Sequence, residues 1–185
     1  MNWNDAIKIM NIPIIYHECN LNNCKLLPEG IVDLGKRWVK NPNSNLYLHG
    51  NTGSGKTHFS ISLYRNMVEK GFGSIIIYIK SEDLDNELLN SILDGQEMTK
   101  LKKYSEIDLL FIDDLGVEKP TDRSERQYYS IIDKRTANNL PTVITSNVNR
   151  ENLKFGDRTK SRLEYFYDVH FPDVDLRKKI KLPPI

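Results

Sequence analysis

Residues 50–57 read GNTGSGKT. The run satisfies G-x-x-x-x-G-K-[ST] in full, a spacing that grips a polyphosphate. Gly53 and Gly55 let the backbone pass close to phosphate oxygens with no Cβ in the way. The loop residues Gly50, Asn51, Thr52, Gly53, Ser54 and Gly55 then turn amides toward the anion, helped by the positive end of the helix that follows. Lys56 is expected to reach the β- and γ-phosphates, and the Thr57 hydroxyl to ligate Mg²⁺. His58, next along, is counted with the nucleotide-lining residues. The alternative is a chance glycine-rich turn. The complete motif, with a strand before it and an amphipathic helix after, argues against that.

Nucleotide hydrolysis also needs a carboxylate at the metal and a group that positions water. The run LLFIDDLG at 109–116 offers both. Its apolar residues bury a strand, and Asp113 and Asp114 are expected to emerge at its C-terminal end, where open α/β sheets bind ligands. Asp113 is assigned to the Mg²⁺ shell and Asp114 to the water. Thr145-Ser146-Asn147 closes a third strand. An amide there can reach the γ-phosphate or the water, although asparagine at a strand end is more often a turn former.

These residues need a frame. Short β-rich runs alternate with helical stretches, the pattern of an α/β fold with a parallel sheet. Strands are expected at 45–49, 74–80, 107–112, 141–145 and 168–171. Helices are expected at 2–11, 28–40, 57–70, 82–93, 123–138 and 160–165, with a short one at 100–104. No internal repeat and no low-complexity segment interrupts the series.

Composition bounds the rest. The chain has 185 residues, with 26 Lys+Arg against 25 Asp+Glu. That length suits one domain, and a net charge near zero gives no global case for nucleic acid or a membrane surface. No apolar run approaches the ~18 residues that cross a bilayer. The N-terminus has acidic and polar residues where a signal peptide needs a basic start and an apolar stretch, so a cytoplasmic protein is expected. Cys19 and Cys24, with His17 nearby, lack the second ligand pair of a structural zinc site and read as free thiols.

With these residues in hand, the chain resembles the AAA+ ATPases, and more narrowly the bacterial helicase-loader and transposition-helper group of the DnaC/DnaI/IstB type. The resemblance covers roughly 10–178. It rests on GNTGSGKT, LLFIDDLGVEK, RQYYSIIDKRTANNLPTVITSN and GDRTKSRL, with IPIIYHECNL as the lead-in. It implies a five-stranded parallel sheet in the order 5-1-4-3-2, ATP/ADP and Mg²⁺ as ligands, and sensor 1 at Asn147. It makes 156–163 the arginine-finger region, with Arg162 preferred over Arg158, and gives Arg177 the sensor-2 place. It divides the chain into a short N-terminal segment (1–11), the ATPase domain (12–178) and a basic tail (179–185). Two departures stand out. Asp114 occupies a place where most of the group carries Glu. The separate N-terminal domain of the loaders and a large C-terminal helical lid are not expected here.

The implied function is ATP hydrolysis in DNA replication, with a replicative DNA helicase as client. Implied partners are single-stranded DNA and further copies joined through a trans arginine, with no membrane. A transposase helper is the near alternative. A small-molecule kinase with a phosphate loop and a non-hydrolysing ATP-gated protein are the distant ones. The kinase is opposed by the Asp-Asp strand, the TSN strand and the SRL arginine together. Basic runs at 100–103, 134–135 and 177–181 are the candidates for phosphate contact, which would be salt-sensitive.

Overall fold

A computed structural model describes residues 2–116 and 119–179. The chain forms α1 (Trp3–Ile9), α2 (Glu29–Lys40), β1 (Asn45–His49), α3 (Lys56–Glu69), β2 (Ile76–Lys80), α4 (Ser81–Leu93) and α5 (Glu97–Glu106). It continues through β3 (Leu109–Leu115), α6 (Asp122–Ala137), β4 (Thr142–Ser146), α7 (Asp157–Leu163) and β5 (Phe166–His170). The five strands pair in the order β2-β3-β4-β1-β5, all parallel. This is the expected 5-1-4-3-2 order read from the other edge. It brings the C-terminal ends of β1, β3 and β4 side by side.

Each face of the sheet buries its own core. Leu46, Leu48, Phe111 and Val143 meet Phe59, Leu63 and Tyr64 of α3, with Trp3 and Trp38 outside them. Tyr47, Ile112 and Ile144 meet Leu84 and Leu88 of α4, Ile131 and Ile132 of α6 and Leu163 of α7. The alternation of side chains along each strand sorts them to the two faces. Cys19 and Cys24 are both buried and free in the first core.

Several boundaries moved for local reasons. The second strand begins at Ile76, because the Ser74 and Ile75 amides donate to Asp108 Oδ2 instead of to a ladder. The helix expected at 100–104 spans Glu97–Glu106. Helix α7 starts at Asp157 and not at 160, since Glu125 of α6 accepts from the Gly156 amide and the Thr159 hydroxyl and fixes its first turn. β5 therefore begins at Phe166, two residues before the expected 168.

Two of the three basic runs have charges bonded within the subunit, and one of those charges is buried. Arg135 is 0% exposed and donates to the carbonyls of Tyr104, Ile107 and Pro141 and to the Thr142 hydroxyl. Burial pulls its guanidinium down to about 9, and the Asp108 charge opposes. Lys100 and Lys103 share Glu87 of α4, and Lys102 pairs with Glu106. The third run extends past residue 179, so its last two positions lie outside the described residues, as do Val117 and Glu118 of the acidic motif and nearly all of the tail.

Candidate nucleotide-binding site

The loop between β1 and α3 takes the shape its glycines allow. Gly53 has φ +82° and Gly55, the N-cap of α3, φ +96°. Both lie in the left-handed region that glycine enters without strain. A Cβ on Gly53 would also collide with the Asp175 carboxylate and stand 2.9 Å from Arg177 Nη2. The segment after β5 is laid against the tip of the loop, and the Leu176 amide donates to the Gly53 carbonyl at 2.9 Å.

Lys56 is buried and saturated. Its Nζ donates to the Gly50 carbonyl at 2.8 Å, the Asn51 carbonyl at 3.0 Å and Asn147 Oδ1 at 2.9 Å. Burial lowers the ammonium's pKa, while the charges of Asp114 and Asp113 act the other way. The strand that carries the acids and the strand that carries Asn147 thus converge on one lysine.

The two acids differ because the strand does not run straight between them. β3 continues to Leu115, so both acids lie within it and not beyond its end. Its pairing with β4 slips between Ile112 and Leu115, and Asp114 takes φ +58°. A residue in the left-handed region at such a slip has the character of a β-bulge, which re-aims one side chain. Asp113 stays paired with Lys80 of β2 and is 1% exposed. It accepts from Thr145 Oγ1 at 2.6 Å and from Thr57 Oγ1 at 3.3 Å to each carboxylate oxygen. Burial, then the neighbouring Asp114 charge, raise its pKa, and the two threonine hydroxyls pull it back. Asp114 is turned toward a cavity of about 600 Å³ between α4 and α6, whose wall includes Glu82, Asn86, Lys119 and Gln127. Its amide donates to Thr145 Oγ1 at 2.9 Å, and its carbonyl accepts from Ser81 Oγ at 2.8 Å.

Thr145 is the residue that sequence reasoning passed over. One hydroxyl accepts from Asp114 and donates to Asp113, so it sets the two acids relative to each other. Its signal in the sequence is its place in the TSN run, two residues before Asn147. Burial first, and then the charges of Asp113 and Asp114 among others, raise the phenol of Tyr16 in the lead-in segment, while Arg177 opposes.

Other expected residues sit farther out. His58 turns away from the loop and donates from Nε2 to Asn23 Oδ1 at 3.2 Å; burial lowers its pKa. Arg177 pairs with Asp175 through Nε at 2.9 Å and Nη2 at 3.1 Å. Arg158 is exposed on α7. Arg162 is ion-paired with Asp133 of α6 and lies over the Tyr129 ring at 6.0 Å. The structure gathers Lys56, Thr57, Asp113, Asp114 and Asn147 at one corner and brings Arg177 to its edge. The α7 arginines make their contacts elsewhere in the subunit.

The residues present suit a magnesium nucleotide. Ser54 Oγ is buried in the phosphate loop without a hydrogen-bond partner. Thr57 and Asp113 offer hydroxyl and carboxylate oxygens, the hard donors that Mg²⁺ takes along with substrate phosphates. Among the described residues no group of three or more His, Cys, Asp or Glu side chains could hold a metal by itself. No helix there is long and apolar enough to cross a membrane.

A family model described as IstB-like ATP binding protein matches residues 26–161. The match includes the phosphate loop, both acids, Asn147 and Arg158, and ends one residue before Arg162. The crystal structure of DnaI superposes with a TM-score of 0.74 at 25% identity, covering 88% of this chain and 96% of that one. The crystal structure of the DnaC helicase loader gives 0.73 at 23%, covering 86% and 100%. AMPPCP-bound DnaA from Aquifex aeolicus gives 0.74 at 18%, covering 83% of this chain and 50% of that one. The chain spans about half the length of the replication-initiator chains of this kind. The shared architecture is that of the AAA+ P-loop ATPases.

Proposed function

The chain belongs to the IstB-like ATP binding protein family, and from that membership we propose that it hydrolyses ATP and acts in DNA replication as a loader of a replicative helicase. The observation that carries the hydrolytic part is the convergence on Lys56. Its three acceptors include Asn147 Oδ1 and two loop carbonyls, and both acids act on it electrostatically. A γ-phosphate offers oxygens that compete for the same three donors. Lys56 then moves to the β- and γ-phosphates and leaves the Asn147 amide free to turn toward the phosphate or the water.

The other residues take the parts their positions suit. The amides of 50–55 and the N-terminus of α3 face the phosphates. The Thr57 hydroxyl and Asp113 hold the metal. Bound Mg²⁺ supplies charge neutralisation on the β- and γ-oxygens. Asp114, turned out by the bulge, accepts a hydrogen bond from the attacking water and orients it. Aspartate is one methylene shorter than glutamate, which fits a slow intrinsic turnover. Arg177, at the loop tip, reaches the nucleotide by leaving Asp175. Arg158 or Arg162 reaches the γ-phosphate of a neighbouring copy, so the active form is a head-to-tail ring or spiral. Single-stranded DNA and a helicase are the partners of that assembly, in the cytoplasm. Domain limits of 12–178 for the engine, with 1–11 and 179–185 flanking it, belong to the same reading.

The loader role is supported by the superposition over nearly the full solved chains of DnaI and DnaC. A transposase helper is the second reading, because the matching family is IstB-like and the resemblance groups IstB with transposition helpers. Purified protein incubated with ATP alone, with the host's replicative helicase and single-stranded DNA, with a transposase, or with small hydroxyl acceptors tests the proposal. Phosphate release that rises with the helicase supports the loader. A rise only with a transposase supports the helper. Phosphate transfer to a small acceptor would identify a kinase.

A further inference from the structure

Lys56 has two acceptors that lead away from the nucleotide corner by different routes. Both routes meet at Arg150, a residue outside the motifs. One starts at Asn147 and follows the chain out of β4. There the Val148 carbonyl accepts from Tyr47 OH at 2.9 Å, and the Val148 amide donates to Ser146 Oγ at 3.2 Å. Asn149 caps the turn Arg150–Asn152, its Oδ1 accepting from the Asn152 amide at 3.0 Å. The other starts at Gly50, whose neighbour His49 donates from Nε2 to Asp168 Oδ2 at 2.8 Å. The second oxygen of Asp168 lies 3.2 Å from Arg150 Nε.

The far side of Arg150 points to α7. Its Nη1 donates to the Leu163 carbonyl at 2.8 Å and the Phe166 carbonyl at 3.0 Å. Leu163 is the last residue of α7, where carbonyls lack a partner within the helix and a cation is favoured by the dipole. The guanidinium is mostly buried, at 18% side-chain exposure, so these charge-assisted bonds are sheltered from water. The N-terminal turn of α7 is held to α6 through Glu125, and Arg162, one residue before Leu163, pairs with the partly exposed Asp133 of α6.

We infer that Arg150 is a positioning residue: with Asp168 and His49, it ties the C-terminal end of α7 to the two Lys56 acceptors, so that a change at the γ-phosphate is felt at Arg158 and Arg162. When Lys56 leaves the Gly50 carbonyl and Asn147, both routes into Arg150 are altered together. The α7–β5 junction then shifts against an α6 that is not bonded to Lys56. The inference rests on the proposed trans role of α7 for its consequence, and on hydrogen bonds and chain connectivity for the coupling.

Two measurements test it in the full chain. In hydrogen exchange, wild-type amides at 160–167 are expected to exchange differently with AMPPCP than with ADP. Arg150→Gln is expected to bind both nucleotides within about twofold of wild type and to lose that difference. Asp168→Asn, on the sheet edge, carries the same test if Arg150→Gln folds poorly. In subunit mixing, Arg150→Gln should be rescued by Asp114→Asn protein, which supplies an intact α7. It should not be rescued by Arg162→Ala protein, which does not. A general folding defect would lose nucleotide binding and the rescue by Asp114→Asn protein, and Asp168→Asn would then decide. Exchange at 160–167 that is blind to nucleotide in the wild type, or unchanged in its response in the variants, would overturn the inference. Absence of any assembly-dependent turnover in the wild type would instead reject the trans role, while the exchange result still decides the coupling.

Discussion

The phosphate-loop corner and the α7 face treat charge in opposite ways. At the loop corner Lys56 and Asp113 are buried and bonded within the subunit: Lys56 to three acceptors, Asp113 to two hydroxyls. On α7, Arg158 is exposed, and Arg162 has a surface carboxylate, Asp133, with both side chains about a third exposed. A buried charge is costly to move or leave unpaired, whereas an exposed ion pair holds its partner weakly. The first corner therefore gives up Lys56 only to an anion that replaces its buried acceptors, and the other releases its cation more readily. On the proposed reading the first holds the subunit's own nucleotide and the second serves a neighbour's.

The largest effect should come from the weakly held side. Arg162→Ala is expected to leave ATP binding near wild type and to lower the turnover of assembled protein by roughly 10³-fold, the scale of a lost arginine finger. Equal turnover in single-cycle assays of assembled protein would pass the role to Arg158 or remove it from α7. Next is Asp114→Asn, expected to keep Mg·ATP binding while turnover falls about 10²-fold, as for a lost water-orienting base. Asp113→Asn is expected instead to weaken the Mg²⁺ dependence of binding, and a magnesium titration of the two variants separates them. Lys56→Ala should weaken ATP at least tenfold, about 1.4 kcal/mol, in a nucleotide-binding assay. The smallest effect should be Thr145→Val, which leaves the Asp114 amide without an acceptor. About 1 kcal/mol of stability is expected to be lost in urea unfolding, with Thr145→Ser recovering it. A Thr145→Val protein as stable as wild type would mean that the strand slip holds the two acids without that hydroxyl.

What could be read beforehand follows how local each feature is. The phosphate loop was legible because its conformation is carried by its own glycines. Strand order was legible only through family resemblance, since periodicity does not say which strands are neighbours. The bulge at Asp114 was not legible, because the slip exists only against β4. Arg135 was misread as part of a basic surface run, although it stands four residues after Ile131 and three after Ile132, on the same helical face as both. The neutralisation of Lys100 and Lys103 needed Glu87, which another helix supplies. Arg150 belonged to no motif, and its partners come from β5, α7 and the residue before the phosphate loop.

The central claim is that the subunit builds its own nucleotide corner and takes its last cation from a copy. ATPase activity per subunit, followed across a dilution series and in mixtures of Arg162→Ala with Asp114→Asn protein, tests it most directly. The account predicts activity that falls on dilution, two variants that are each nearly inactive, and partial recovery when they are mixed, because one class of interface then joins an intact Asp114 to an intact Arg162. Activity per subunit that is flat on dilution, with Arg162→Ala as active as wild type, would contradict it.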